Sequence, residues 1–195
     1  MSNKAKTGLY FGSFNPIHCG HLMIASYMLE FSDLKNIWFV ISPQNPLKEK
    51  SSLLNDYHRL ALVNVAIADD TRFKSCDIEF KLPQPSYTIN TLTFLKGKYP
   101  QKEFSLIMGA DNLENLHKWK EYEKILESNS INVYPRPGSD GGDFKNHPNV
   151  HWVSAPLLEI SSSFIRAAIK EKKNMSYFLT EKVYQYVQEM HFYEK

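Results

Sequence analysis

Three stretches of the 195-residue chain place side chains suited to holding an anion close together. Residues 11–22 read FGSFNPIHCGHL, with His18 and His21 three apart where an apolar run gives way to a helical pattern. Gly12, Pro16 and Gly20 punctuate the same stretch. Residues 159–166 read EISSSFIR, hydroxyls at a helix start followed by Arg166, and residues 45–50 read NPLKEK, which offers Lys48 and Lys50. A helix amino end carries unpaired N–H groups and about half a positive charge, a ready seat for phosphate. Residues three apart share a face of the first turn, so both imidazoles can donate to phosphate oxygens, more strongly when protonated. A guanidinium adds a planar fork of donors. Neither G-x-x-x-x-G-K-[ST] nor G-x-G-x-x-G occurs, so histidines stand where those phosphate loops use glycine backbone and lysine. His18, Cys19 and His21 are also types that ligate zinc, but the second Cys/His cluster of a structural zinc site is missing.

These groups need elements to hold them. Residues 7–11, 36–42, 72–80, 103–109, 131–135 and 150–156 read as strands, being short, apolar and β-branched or alternating. Helical spacing runs over 20–31, 55–70 (capped by Asn55 or Asp56), and over 110–128 with a break near His117, while 82–100 reads as a proline-rich loop entering a helix near Tyr87–Thr88. Two more helices follow, opened by Ser and Thr, at SSSFIRAAIKEKK and TEKVYQYVQEM. Residues 136–149, rich in glycine and proline, read as a mobile loop. Apolar strands alternating with amphipathic helices imply an α/β fold: a Rossmann-like, doubly wound parallel sheet with helices on both faces and helices at the C-terminal end. In such sheets ligands sit beyond the carboxyl ends of the strands, where the strand order reverses. The loops after the first, second, fourth and last strands are therefore the ones to read for function.

Composition bounds the rest. The length suits one domain over 1–195, and an apolar share of 43% supports a sizeable core. A net charge of +2 gives no global field for nucleic acid or membrane, so an anion must be held by local groups. Two cysteines, Cys19 and Cys76, make no disulfide framework, and no signal-like or membrane-length apolar run is present. The expectation is a cytoplasmic protein acting on small molecules, with homo-oligomerisation left open.

GSFNPIHCGH resembles the G-x-F-x-P-x-H-x-G-H signature of the nucleotidyltransferase superfamily, and EISSSFIR resembles its I-S-S-T-x-I-R signature. Within the superfamily the chain is similar to the bacterial nicotinate mononucleotide adenylyltransferases, through PSYTINTL (85–92), IMGADNLENLHKWKEYEKIL (107–126) and YPRPG (134–138). Ser13 and Asn15 stand where many relatives have Thr and Asp, and Ser163 replaces the last Thr of the second signature. The resemblance implies adenylyl transfer from ATP to nicotinate mononucleotide, giving deamido-NAD and pyrophosphate, with Mg²⁺ bound through ATP phosphates and no protein metal site. Nicotinamide mononucleotide and phosphopantetheine are the rival acceptors, and a non-catalytic nucleotide-binding regulator is the rival class.

It implies His18, His21, Lys48 and Arg166 as the catalytic groups. ATP would meet Gly12, Ser13, Phe14, Gly20, Gly109, Asp111, Ile160, Ser161 and Ser162 besides His18, His21 and Arg166. The mononucleotide would meet Ser13, Phe14, Lys48, Tyr87, Thr88, Trp119 and Arg136. Trp119 suits stacking on an electron-poor pyridine, and Arg136 suits the mononucleotide phosphate. Read without the resemblance, Trp119 is a core residue, Ser161, Ser162 and Asp111 are helix caps, and Arg166 is a surface ion pair.

Overall fold

The structure is a computed structural model and describes residues 5–43 and 53–195. Lys48 and Lys50 lie outside the described residues. Six strands form one parallel sheet: β1 (Lys6–Gly12), β2 (Asn36–Ile41), β3 (Phe73–Cys76), β4 (Glu103–Gly109), β5 (Ser130–Tyr134) and β6 (Val150–Trp152). Their spatial order is β3-β2-β1-β4-β5-β6. The order reverses between β1 and β4, so a crevice opens there beyond Gly12 and Gly109.

Successive residues of a strand face opposite sides, and both sides are apolar, as a sheet covered on both faces requires. Tyr10, Phe39 and Ile107 point into one core, with α1 (Cys19–Phe31), α2 (Asp56–Ile67), α6 (Ser162–Lys170) and α7 (Glu181–Glu189). Leu9, Trp38, Leu106 and Val133 point into the other, with α3 (Thr88–Lys98), α4 (Ala110–Glu114) and α5 (Tyr122–Ser128). Caps fix the starts of three helices. Side-chain oxygens of Asn55, Ser161 and Thr180 accept from the backbone N–H of Tyr57, Phe164 and Val183 at 3.0, 3.2 and 3.3 Å.

The expected elements are present, with corrections to two strand ends. The strand read over 72–80 ends at Cys76 and becomes a 3₁₀ turn, Ile78–Lys81. Its apolar alternation persists because Ile78 and Phe80 pack into opposite cores. The last strand stops at Trp152, where its register with β5 ends opposite Val133. The 110–128 helix is broken, as its spacing suggested: a 3₁₀ turn at Leu116–Lys118 and a left-handed Glu121 (φ 53°) separate α4 from α5. In the 136–149 loop, Asp140 pairs with Lys145 and accepts from Gly142 N–H, while the Trp152 indole donates to Lys145 O at 2.9 Å. Among the described residues no helix is long and apolar enough to cross a membrane.

Candidate active site

The loop between β1 and α1 is set by Phe14. Its φ of +45° is costly for a residue with a Cβ, and burial holds it there: it is 1% exposed, ringed by Tyr10, His21 and Phe39 at 5.9, 5.1 and 5.5 Å. A Cβ on Gly12 would meet the Phe14 ring at 2.8 Å, so this glycine first makes room for the phenylalanine that shapes the loop. His18 is the residue preceding α1, and its backbone N–H donates to His21 Nδ1 at 3.3 Å. With Nδ1 accepting, the neutral His21 ring carries its proton on Nε2. The two imidazoles stack with centroids 3.7 Å apart. A Cβ on Gly20 would press on His18 Nδ1 at 3.0 Å, so Gly20 gives the His18 ring its place. Burial, then Arg136, lowers the His18 pKa to about 4, so this imidazole is neutral at neutral pH.

The 159–166 segment is joined to this loop by hydrogen bonds. Ser162 Oγ donates to Pro16 O at 2.9 Å, and Arg166 Nη1 donates to Asn15 O at 2.9 Å. Arg166 Nη2 also donates to Ser163 Oγ at 3.3 Å, and Ser161 caps α6. Ser161 is thus the cap expected of it, and Ser162 ties the two signatures together. At the end of β4, a Cβ on Gly109 would lie 2.4 Å from Asp111 Oδ1 and 2.8 Å from Arg136 Cγ. Only a glycine lets that carboxylate and that arginine approach, and they pair at 3.7 Å.

Two cavities meet over the strand ends. The first, about 300 Å³, has His18, His21, Arg136, Arg166, Ser161 and Ser162 on its walls, and Gly12, Ser13, Phe14, Gly20, Asp111 and Ile160 also line it. The amino ends of α1 and α6 open onto it, adding their partial positive charge to two arginines. The second, about 390 Å³, is walled by Tyr87, Thr88, Trp119, Lys120, Ser86 and Glu79. Lys120 Nζ sits 4.8 Å from the Tyr87 ring centre. Gly12, Ser13, Tyr10 and Tyr134 line both. The hydroxyls of Tyr10 and Tyr134 lie 3.2 Å apart, and burial raises both phenol pKa values, so this shared floor stays uncharged.

Arg136, grouped by the resemblance with Tyr87, Thr88 and Trp119, lines the first cavity beside Asp111, and the second is lined without it. Phe14 likewise borders only the first, and Gly109 lies beneath Asp111 and Arg136. His18, Cys19 and His21 form no metal site: among the described residues no group of three His, Cys, Asp or Glu side chains is placed to hold an ion. Cys19 and Cys76 are free thiols.

Sequence reasoning missed Arg59. Fully buried on α2, it donates from Nη1 to Ser13 O at 2.6 Å and Ser42 O at 2.8 Å, from Nε to Leu54 O at 3.1 Å, and from Nη2 to Pro43 O at 3.3 Å and Asp56 at 2.5 Å. One guanidinium thus joins the loops after β1 and β2. An arginine among polar helix residues gives no sign of this beforehand. Glu79 was also missed: burial raises its carboxyl pKa, and Thr91 Oγ1 donates to its Oε1 at 2.7 Å.

Comparison with known proteins places the chain in a family. The cytidylyltransferase-like family model matches residues 9–168. A Flavobacterium psychrophilum protein named probable nicotinate-nucleotide adenylyltransferase is 57% identical over 97% of this chain and 100% of its own length. A Bacteroides thetaiotaomicron protein of the same name is 47% identical over 96% of this chain and 93% of its own. The fold is similar to that of Plasmodium falciparum nicotinic acid mononucleotide adenylyltransferase complexed with NaAD, with TM-score 0.82, 21% identity, and 97% and 98% of the two chains covered. From the family model and the near full-length identity, the chain belongs to the nicotinate-nucleotide adenylyltransferases of the cytidylyltransferase-like family.

Proposed function

We propose that the protein transfers the adenylyl group of ATP to the phosphate of nicotinate mononucleotide, in NAD biosynthesis. A mononucleotide phosphate oxygen attacks the α-phosphorus of ATP. The bond from that phosphorus to the bridging oxygen breaks, and pyrophosphate leaves with the electron pair. The products are nicotinate adenine dinucleotide and pyrophosphate. The nucleophile is already an anion, so no serine, cysteine or general base is called for, and catalysis reduces to alignment and charge stabilisation.

The observation that carries this reading is the pair of cavities joined at the strand-order switch, one rimmed by imidazole, hydroxyl and guanidinium donors, the other by aromatic rings. In this reading the triphosphate lies in the first cavity. His21 Nε2–H, neutral His18, Arg166 and the amino ends of α1 and α6 meet charge growing on the leaving oxygens, and Asp111 faces the ribose hydroxyls. Arg136, at the border of the first cavity, holds the phosphate of the acceptor as it crosses the tyrosine floor. The pyridine ring lies on Trp119, with its carboxylate toward Thr88 and the amino end of α3. Lys48 remains assigned to the phosphates by resemblance alone. Among the described residues the one carboxylate lining the first cavity, Asp111, pairs with Arg136, a donor set that suits a magnesium ion carried in on nucleotide oxygens rather than one held by the protein. Such an ion would supply positive charge to the departing pyrophosphate.

Pyrophosphate release tests the proposal. Purified protein with ATP and Mg²⁺ is given nicotinate mononucleotide, nicotinamide mononucleotide or phosphopantetheine in parallel. Fastest release with the nicotinate compound is expected. Silence with it, or preference for either rival acceptor, overturns the assignment.

A further inference from the structure

The last residues of the chain reach back into the loop that carries the first signature. Tyr193 OH donates to Asn15 Oδ1 at 2.9 Å, across 178 positions of sequence. Asn15 is 1% exposed, and the same oxygen accepts from Leu54 N–H at 3.2 Å. Its backbone carbonyl receives Arg166 Nη1 at 2.9 Å. The tyrosine is held in turn: the neighbouring Phe192 is buried against His58 and Tyr186, with ring centres 5.0 and 6.0 Å away. Tyr193 itself takes a left-handed backbone, φ 67°, which presents its ring to the loop.

We propose that Tyr193 is a positioning residue for the ATP subsite, acting through Asn15 on Arg166. A buried asparagine fixed on its side-chain oxygen holds its own peptide plane, and that plane supplies the carbonyl that aims the guanidinium. The C-terminal tail thereby becomes part of the nucleotide site without touching nucleotide. The inference rests on the reading of Arg166 as an ATP ligand.

Calorimetric titration of the full chain with Mg–ATP, without any acceptor, tests it. Four proteins are compared: wild type, Tyr193→Phe, Arg166→Lys and the double variant. Tyr193→Phe keeps the ring and removes one neutral hydrogen bond, so its Kd is expected to rise about fivefold. If the effect passes through Arg166, the same change made on Arg166→Lys adds less than about 1.5-fold. A merely structural tyrosine predicts equal factors in both backgrounds. An unchanged Kd in Tyr193→Phe, or a fivefold factor that persists beside Arg166→Lys, overturns the proposal. Because ATP binding is read alone, a protein that binds ATP but turns over none of the acceptors sinks the proposed reaction and still decides this inference. A wild type that binds no ATP removes the Arg166 reading and the positioning role with it.

Discussion

The imidazoles of His18 and His21 stack face to face at 3.7 Å, and the backbone N–H of the first holds Nδ1 of the second at 3.3 Å. This pairing fixes the His21 tautomer and aims an Nε2–H donor outward. In the proposed reaction, replacing His21 by Ala removes a donor whose interaction grows as charge shifts to the leaving group. A loss of about 10²–10³ in kcat is expected, by analogy with removal of one oxyanion-stabilising donor. The circular dichroism spectrum and melting temperature should stay close to wild type. A variant that is unfolded would make His21 structural.

His18 leads to a pH prediction. Burial holds its pKa at about 4 in the folded chain against an ordinary value near 6.5. Between those values the unfolded chain binds a proton that the folded chain refuses, so stability falls as pH drops from 6.5 to 4, by about 3 kcal/mol in all, and this contribution is fully present above 6.5. Glu79, whose carboxyl pKa is raised, works in the opposite direction in acid. The difference between wild type and His18→Gln isolates the histidine. Urea unfolding at pH 7 and pH 4.5 should show a smaller drop for the variant, and equal drops would contradict the assignment.

Arg59 satisfies four backbone carbonyls and an aspartate from a fully buried position. Arg59→Leu leaves those part-buried acceptors without their donor and opens a cavity where the guanidinium was. A loss of roughly 3 kcal/mol of unfolding free energy is expected. Since two of the carbonyls belong to Ser13 and Ser42, activity at saturating substrate should fall as well. Chemical denaturation beside steady-state kinetics checks both, and stability within 1 kcal/mol of wild type, on the order of a single exposed hydrogen bond, would refute the keystone role.

Trp119 stands half-buried on the wall of the second cavity and packs partly on the core beneath. Trp119→Ala should raise KM for the mononucleotide about tenfold, the value of a lost aromatic contact, while KM for ATP stays within about twofold. An unchanged mononucleotide KM would remove Trp119 from the site.

Much of this was legible in the sequence, for identifiable reasons. Strands such as 36–41 are apolar on both faces because both faces of the sheet are covered, and helices such as α6 announce themselves through Ser161. The His18–His21 spacing and the hydroxyls before Arg166 depend on local geometry, so motif and structure coincide. What depends on distant packing was not legible. Nothing in the order of residues joins Arg59 to Ser13, Tyr10 to Tyr134, or Tyr193 to Asn15, since each contact exists only once the sheet order is set. The resemblance grouped Arg136 with Tyr87, Thr88 and Trp119, but its place beside Asp111, over the missing Cβ of Gly109, depends on packing and was not legible.

The central claim is that one crevice holds two substrates, polyphosphate on the imidazole–guanidinium rim and pyridine on the aromatic wall. A crystal structure of the protein with nicotinate adenine dinucleotide tests it most directly. The adenylyl phosphate is predicted within hydrogen-bond reach of His18 or His21, with the pyridine ring on Trp119 and the two halves crossing above Tyr10 and Tyr134. A dinucleotide bound away from these histidines, or with its pyridine outside the second cavity, would contradict the account.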